Sequence, residues 1–102
     1  MDVFQNPGSA LLIRAILALE SEAECRAFLE DLMTGKEIQD CSQRLLVASL
    51  LREGMVYSRI AGVTGASSAT ISRVNRALQY GADGYKTVLP RLEAVGHEEQ
   101  DA

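Results

Sequence analysis

The apolar residues of this chain recur at helical spacing, and the most informative stretch is 56–80. At its start Tyr57, Ile60 and Ala61 lie at i, i+3 and i+4, which places them on one face of a helix. Gly65 follows, and glycine suits the strained backbone of a sharp turn between two helices. A serine at 67 or 68 can accept hydrogen bonds from the first N–H groups of the next helix. The pattern predicts a helix-turn-helix over 56–80.

The second helix of this stretch has one apolar face and one polar, basic face. Ile71, Val74 and Leu78 share the apolar face. The opposite face carries Ala69, Ser72, Arg73 and Arg76. Short polar and basic side chains on an exposed helix suit base edges and phosphates in the major groove of DNA. The alternative is an ordinary helical hairpin with a solvated polar face.

Four further helices are predicted from the remaining pattern. They span about 9–19, with Ser9 as the N-cap, then about 22–33, about 35–53, and a last helix from about 84 that contains Pro90. The second and third follow capping boxes at Ser21–Glu24 and Thr34–Glu37. The chain is therefore predicted to be all-α, with about six helices in one domain at 9–94. Residues 1–8, with Asn6-Pro7-Gly8, are predicted to be loose, and the acidic tail 95–102 to be disordered.

Two of the predicted helices are apolar on nearly every side. These are the first helix and the segment 45–51 of the third. Such helices must be covered on most sides, and a chain of 102 residues has few elements to cover them. We therefore predict a homodimer, with a central core helix in a monomer as the alternative. Twofold symmetry would place two recognition helices in successive major grooves, about 34–36 Å apart.

The charged residues are unevenly distributed along the chain, whose net charge is −4. Residues 1–53 have five Lys or Arg against nine Asp or Glu, residues 54–92 have five against one, and residues 93–102 have four acidic residues alone. The basic excess falls on the helix-turn-helix and the segment after it, as expected of a surface that binds phosphates. Chance segregation of charge is the alternative.

Several other classes of protein find little support in the sequence. No apolar run approaches the roughly 20 residues of a membrane span, and the N-terminus lacks a basic lead and cleavage site, so a cytoplasmic location is expected. Cys25 and Cys41 lack metal-site spacing, and His97 lies in the acidic tail. We expect two buried free thiols, no metal and no enzymatic activity.

Two motifs carry a resemblance to a known family. They are Ala-Thr-Ile-Ser-Arg-Val-Asn-Arg at 69–76 and Tyr-Gly-Ala-Asp-Gly-Tyr at 80–85. With the flanking sequence from about Leu12 to Leu92, the chain resembles the Trp-repressor-related proteins of the YerC/YecD type. The resemblance implies an all-helical, intertwined homodimer that acts as a bacterial DNA-binding transcription regulator.

The resemblance to the tryptophan repressor itself, a more distant relative, breaks down at the corepressor site. That repressor holds an indole ring between two arginines, and one of them matches Arg73 here. The other falls at Gln43, and the neighbouring Arg44 is about 100° around the helix. Val74 stands where the repressor has a glycine. These departures predict that the chain does not depend on tryptophan, and no cofactor is predicted.

The leading hypothesis is a sequence-selective regulator that binds double-stranded DNA as a homodimer. Its candidate DNA-binding residues are Arg59, Ser67, Ser68, Ala69, Thr70, Ser72, Arg73 and Arg76. Arg59 is expected to contact a phosphate, while the others lie on the helix that enters the groove. Two alternatives stay open: a protein-interaction module that uses the helix-turn-helix surface, and a small-molecule-gated repressor with a repacked pocket.

Overall fold

A computed structural model describes the backbone of residues 2–101 and the side chains of residues 2–92. Within the described backbone there are six helices and no strands, which confirms the predicted all-α fold. The helices are α1 (Pro7–Leu17), α2 (Glu22–Leu32), α3 (Gly35–Arg52), α4 (Tyr57–Thr64), α5 (Ser68–Tyr80) and α6 (Gly84–Asp101). The predicted acidic tail at 95–102 lies outside the residues whose side chains are described.

The chain divides into two compact units, Met1–Ile38 and Gln39–Ala102. The first unit contains α1, α2 and the first turn of α3. The second unit contains the rest of α3 together with α4, α5 and α6. The predicted helix-turn-helix therefore belongs wholly to the second unit.

The start of α1 differs from the prediction. The helix begins at Pro7, and Asn6 rather than Ser9 is its N-cap: the Asn6 side chain accepts a hydrogen bond from the Ser9 N–H at 2.8 Å. Ser9 instead donates its hydroxyl hydrogen to the Val3 carbonyl at 2.6 Å. The physical reason is that proline at the first helical position lacks an N–H that would need a partner, and its fixed φ suits a helix.

The predicted capping box at Thr34–Glu37 is present, whereas the one at Ser21–Glu24 forms only in part. The Ser21 hydroxyl accepts from the Glu24 N–H at 3.1 Å, and the Glu24 carboxylate accepts from the Glu20 N–H at 3.0 Å. At the start of α3 the exchange is reciprocal, with Thr34 Oγ1 accepting from Glu37 N at 3.1 Å and Glu37 Oε1 accepting from Thr34 N at 2.9 Å. These bonds satisfy N–H groups that a helix start leaves without backbone partners.

The core of the described residues lies in the second unit. Its eight buried residues come from all four helices of that unit and from the turn between α4 and α5: Val47, Ala48, Ile60, Ala66, Ile71, Val74, Leu78 and Leu89. Full burial of a side chain such as Ile60 or Ile71 contributes roughly 1.5–3 kcal/mol to folding. The apolar face predicted for the second helix of the helix-turn-helix is thus the face that holds α5 in place.

In the first unit the predicted apolar faces stay open. No residue of α1 or α2, all of which are described, is buried. On α2 the prediction placed Leu32 inward, yet it is 52% exposed. On α1 the exposed fraction is 59% for Leu11, 48% for Ile16 and 78% for Leu17.

The expectation of two buried thiols is wrong, because neither cysteine is fully buried. Both cysteines are free, but Cys25 is half-buried and Cys41 is exposed. Cys41 lies two turns before Ala48 on the same side of α3, and α3 contributes buried residues only at Val47 and Ala48. Its place on an apolar helix face therefore does not bury it within one chain.

Candidate nucleic-acid interface

The turn between α4 and α5 depends on Gly65. Its φ is +73°, in the left-handed region that glycine adopts without a steric penalty, and its N–H donates to the Ala61 carbonyl at 2.9 Å. This bond ends α4 and redirects the chain, so that only three residues separate the end of α4 from the start of α5. The predicted role of Gly65 is confirmed.

Thr64 organises the same turn through its side chain. Its hydroxyl donates to the Ile60 carbonyl at 2.7 Å and accepts from the Ala66 N–H at 3.1 Å. One side chain therefore ties the last turn of α4 to the residue that follows Gly65. Ala66, only 5% exposed, then anchors the turn in the core.

A third bond attaches this turn to α3. Gln43 Nε2 donates to the Thr64 carbonyl oxygen at 3.2 Å, and it joins residues that are 21 positions apart in the chain. The residue is half-buried. The sequence alone marks Gln43 only as the residue that stands where a corepressor-binding arginine would be.

The N-terminus of α5 is capped by Ser67. Its hydroxyl accepts from the Thr70 N–H at 3.1 Å and donates to Thr70 Oγ1 at 3.1 Å. Of the two serines that the sequence left open, Ser67 is therefore the cap, and Ser68 is the first residue of the helix. The positive end of the α5 dipole lies at this exposed terminus, where it favours an anion.

The predicted site residues on α5 and at its N-terminus fall on one exposed side of that helix. All are exposed except Thr70, which is half-buried. On α5 the directions of Ala69, Ser72, Arg73 and Arg76 lie within about 100° of one another, opposite the buried Ile71, Val74 and Leu78. We call the exposed set on α5, with Ser67, Ser68 and Thr70 at its N-terminal end, the reading face. The geometry brings together the residues that the sequence singled out, while Arg59 lies on α4.

The guanidinium groups at this surface are available to an outside partner. In the part of the chain that the structure describes, neither Arg59 nor Arg73 nor Arg76 pairs with a carboxylate. The nearby Lys86 differs, since its Nζ lies 3.7 Å from Asp83 Oδ1 and donates to the Gln79 carbonyl at 3.3 Å. Two arginines at i and i+3 place their Cβ atoms about 5–6 Å apart on one helix.

A cleft of about 290 Å³ opens between α3 and α5 beside the reading face. Its lining residues combine both charges with apolar groups: Asp40, Gln43, Arg44, Thr70, Arg73, Val74, Ala77 and Tyr85. Arg73 thus belongs to the reading face and also lines the cleft. Val74 and Gln43, the two departures noted in the sequence, both line this cleft.

One exposed aromatic residue on this surface escaped the sequence reasoning. Tyr80 is 86% exposed, and on the α5 wheel its direction lies between those of Arg73 and Arg76. The same wheel that identified the arginines would have placed it there, but it was considered only as part of a motif. A large aromatic side chain left outside the core is available to contact a partner.

This arrangement of two helices around a tight turn, with a buried face and an exposed basic face, defines the class of helix-turn-helix proteins. The comparisons specify the class further. Residues 9–93 match the family model described as Trp repressor protein. The chain belongs to this Trp repressor family, whose members are regulators rather than enzymes.

The relatives cover most of the chain. The protein YerC of Bacillus subtilis (strain 168) is 51% identical over 87 residues, which are 85% of this chain and 84% of YerC. A TrpR-like protein from Eubacterium eligens has a TM-score of 0.84 at 49% identity, over 88% of this chain and 93% of that one. A candidate Trp repressor from Staphylococcus aureus has a TM-score of 0.83 at 46% identity, over 88% and 90%.

Neither a membrane-spanning helix nor a metal site is found among the described residues. No helix there combines the length and apolar character that crossing a bilayer requires. The described His, Cys, Asp and Glu side chains form no group of three or more that could hold a metal ion.

Proposed function

We propose that the protein is a sequence-selective transcription regulator that binds double-stranded DNA as a homodimer, without a requirement for tryptophan. The observation that carries this proposal is the reading face, where exposed arginines stand opposite the buried residues of α5. Packing of Ile71, Val74 and Leu78 fixes the helix, so the opposite face is presented rigidly to a partner.

Each residue has a role that its chemistry supports. Arg73 and Arg76 can donate two hydrogen bonds to a guanine edge or clamp a phosphate. Ser68 and Ala69 lie at the start of α5, where base edges are usually read, and Ala69 can touch a thymine methyl group. Arg59 on α4 is proposed to contact the DNA backbone.

The hydroxyls at the start of α5 have a more limited role. The Ser67 hydroxyl both accepts from Thr70 N–H and donates to Thr70 Oγ1, so it already serves as the cap. We therefore propose that Ser67 and Thr70 shape the helix terminus that faces a phosphate, while Ser72 is left for direct contact.

The homodimer is supported by the apolar residues that one chain leaves uncovered. The open faces of α1 and α2 would destabilise a solitary chain, because none of the apolar side chains on these two helices is fully buried. In the second unit, α3 and α6 border an apolar cleft of about 400 Å³ whose walls include Leu45, Leu46 and Leu92. A second copy offers the same kinds of apolar face, so twofold pairing can cover them on both chains.

Selection of bound DNA from a random pool tests the function. We expect a pseudo-palindrome whose half-sites are one helical turn apart, because a twofold dimer presents two copies of α5. Titration at several salt concentrations should give a log–log slope of about −0.9 for each phosphate contacted. Binding to proteins together with a flat salt response to DNA would favour the alternative of a protein-interaction module.

A further inference from the structure

We infer that Gln43 is a positioning residue, which holds the turn of the helix-turn-helix on α3 so that the reading face is preset without a small-molecule effector. This inference rests on the proposed function for its DNA readout. It concerns the free protein, so its first test is independent of DNA.

Local hydrogen bonds and apolar packing both support the turn. Neither of them fixes its position along α3, and only the hydrogen bond from Gln43 can do so. Bonds of Thr64 and Gly65 fix the turn internally, since they join Ile60, Ala61 and Ala66, all nearby in the chain. The packing of α3 against α4 and α5 is apolar, and apolar contact alone has no preferred direction. The bond from the Gln43 amide to the Thr64 carbonyl adds a directional attachment to α3.

Because of where its acceptor lies, the bond from Gln43 influences the position of the start of α5. The Thr64 carbonyl lies one residue before Gly65, where the chain reverses into α5. Gln43 also lines the cleft that Thr70 and Arg73 border on the α5 side. A shift of the turn along α3 would therefore move the residues that begin the reading face.

Side chains of this protein itself connect α3 to the turn beside this cleft. Val74, which is 3% exposed, and Gln43 both line it, and the amide already has a protein acceptor. An attachment that the chain supplies needs no ligand to form it. This differs from a regulator in which a small molecule must order the DNA-binding helix before DNA binds.

The test compares Gln43→Ala with Gln39→Ala in the full chain. Gln39 lies one turn earlier on α3 and is exposed, so it controls for loss of a glutamine side chain. Hydrogen exchange of the backbone amides of residues 65–70 is measured for each variant without DNA. We expect the amides of residues 65–70 to exchange severalfold faster in Gln43→Ala only. The amides of α3 and α6 should exchange at the wild-type rate in both variants.

DNA affinity provides the second measurement, on a site selected by the wild-type protein. Gln43→Ala should weaken binding by about two- to fivefold, because a smaller fraction of molecules holds the binding-competent turn. The salt slope should not change, because no phosphate contact is removed. Added tryptophan should leave both exchange at 65–70 and DNA affinity of the wild type unchanged.

Several results would overturn the inference. One is unchanged exchange at 65–70 in Gln43→Ala. Another is faster exchange throughout the second unit in Gln43→Ala. A third is failure of both Gln43→Ala and Gln43→Asn to fold. In either case Gln43 would support the whole fold and not the turn alone. A wild-type protein that binds no DNA would refute the proposed function instead, and the exchange comparison would still decide the role of Gln43.

Discussion

Two glycines of the helix-turn-helix lie three residues apart and should respond in opposite directions to the same substitution. Gly65 has φ +73°, whereas Gly62 lies inside α4. A Cβ built on either glycine meets no heavy atom within 4 Å, so no clash contributes at either position. The effect of alanine is therefore set by backbone conformation alone.

The magnitudes follow from that difference. An L-residue in the left-handed region costs roughly 1–2 kcal/mol, so Gly65→Ala should lower the free energy of unfolding by about that amount. Alanine in a helix interior is favoured over glycine by about 0.5–1 kcal/mol, so Gly62→Ala should raise it. The two variants should differ by roughly 2 kcal/mol, although each adds one methyl group.

Urea unfolding followed by circular dichroism measures both variants. They should be compared at one protein concentration, because the stability of a dimer depends on concentration. Equal slopes with shifted midpoints would show that only stability has changed. A Gly65→Ala protein as stable as the wild type would refute the assignment of a strained turn, and a destabilised Gly62→Ala would contradict the open surroundings of α4.

Four further predictions concern the proposed interface. Arg73→Ala should weaken binding to selected DNA by about 1–3 kcal/mol if the residue reads a base, with an unchanged urea midpoint, and an unaltered dissociation constant would contradict this role. Arg59→Ala should reduce the salt slope by about 0.9 on every DNA sequence, and an identical slope would exclude a phosphate contact. Tyr80→Ala should weaken DNA binding without lowering stability, because the side chain is 86% exposed; a loss of stability would instead indicate a packing role. Tryptophan should leave the melting temperature unchanged, since Gln43 and Val74 line the cleft in place of the arginine and glycine of the tryptophan repressor. A rise in Tm would show that tryptophan binds.

The parts of the fold that depend on local chemistry could be predicted from the sequence. The capping box at Thr34–Glu37 needs only two side chains three residues apart, and both bonds are present. Gly65 and the apolar spacing of α5 likewise act within a few residues. Their consequences are local, so a single sequence contains the information that decides them.

Features that depend on competition or on distant contacts were harder to predict. Asn6 and Ser9 can each cap a helix, and Pro7 decided between them by favouring an earlier start. Cys41 lies on an apolar side of α3, but its burial depends on which residues pack there in three dimensions. The bond between Gln43 and Thr64 spans 21 residues and leaves no periodic signal in the sequence.

The net charge of −4 conceals an uneven distribution of charge along the chain. Residues 1–38 have three Lys or Arg against seven Asp or Glu, whereas residues 39–92 have seven against three. Residues 1–38 thus have a net charge of −4 and residues 39–92 a net charge of +4, while the four acidic residues at 93–102 bring the second compact unit, Gln39–Ala102, to zero. Exposed charges are screened over about 8–10 Å at physiological salt, so a phosphate at the reading face responds mainly to the charges nearest to it. The acidic total should slow non-specific association at low salt, where screening is weak, and matter less as salt rises, while contacts from arginines on α5 persist at short range.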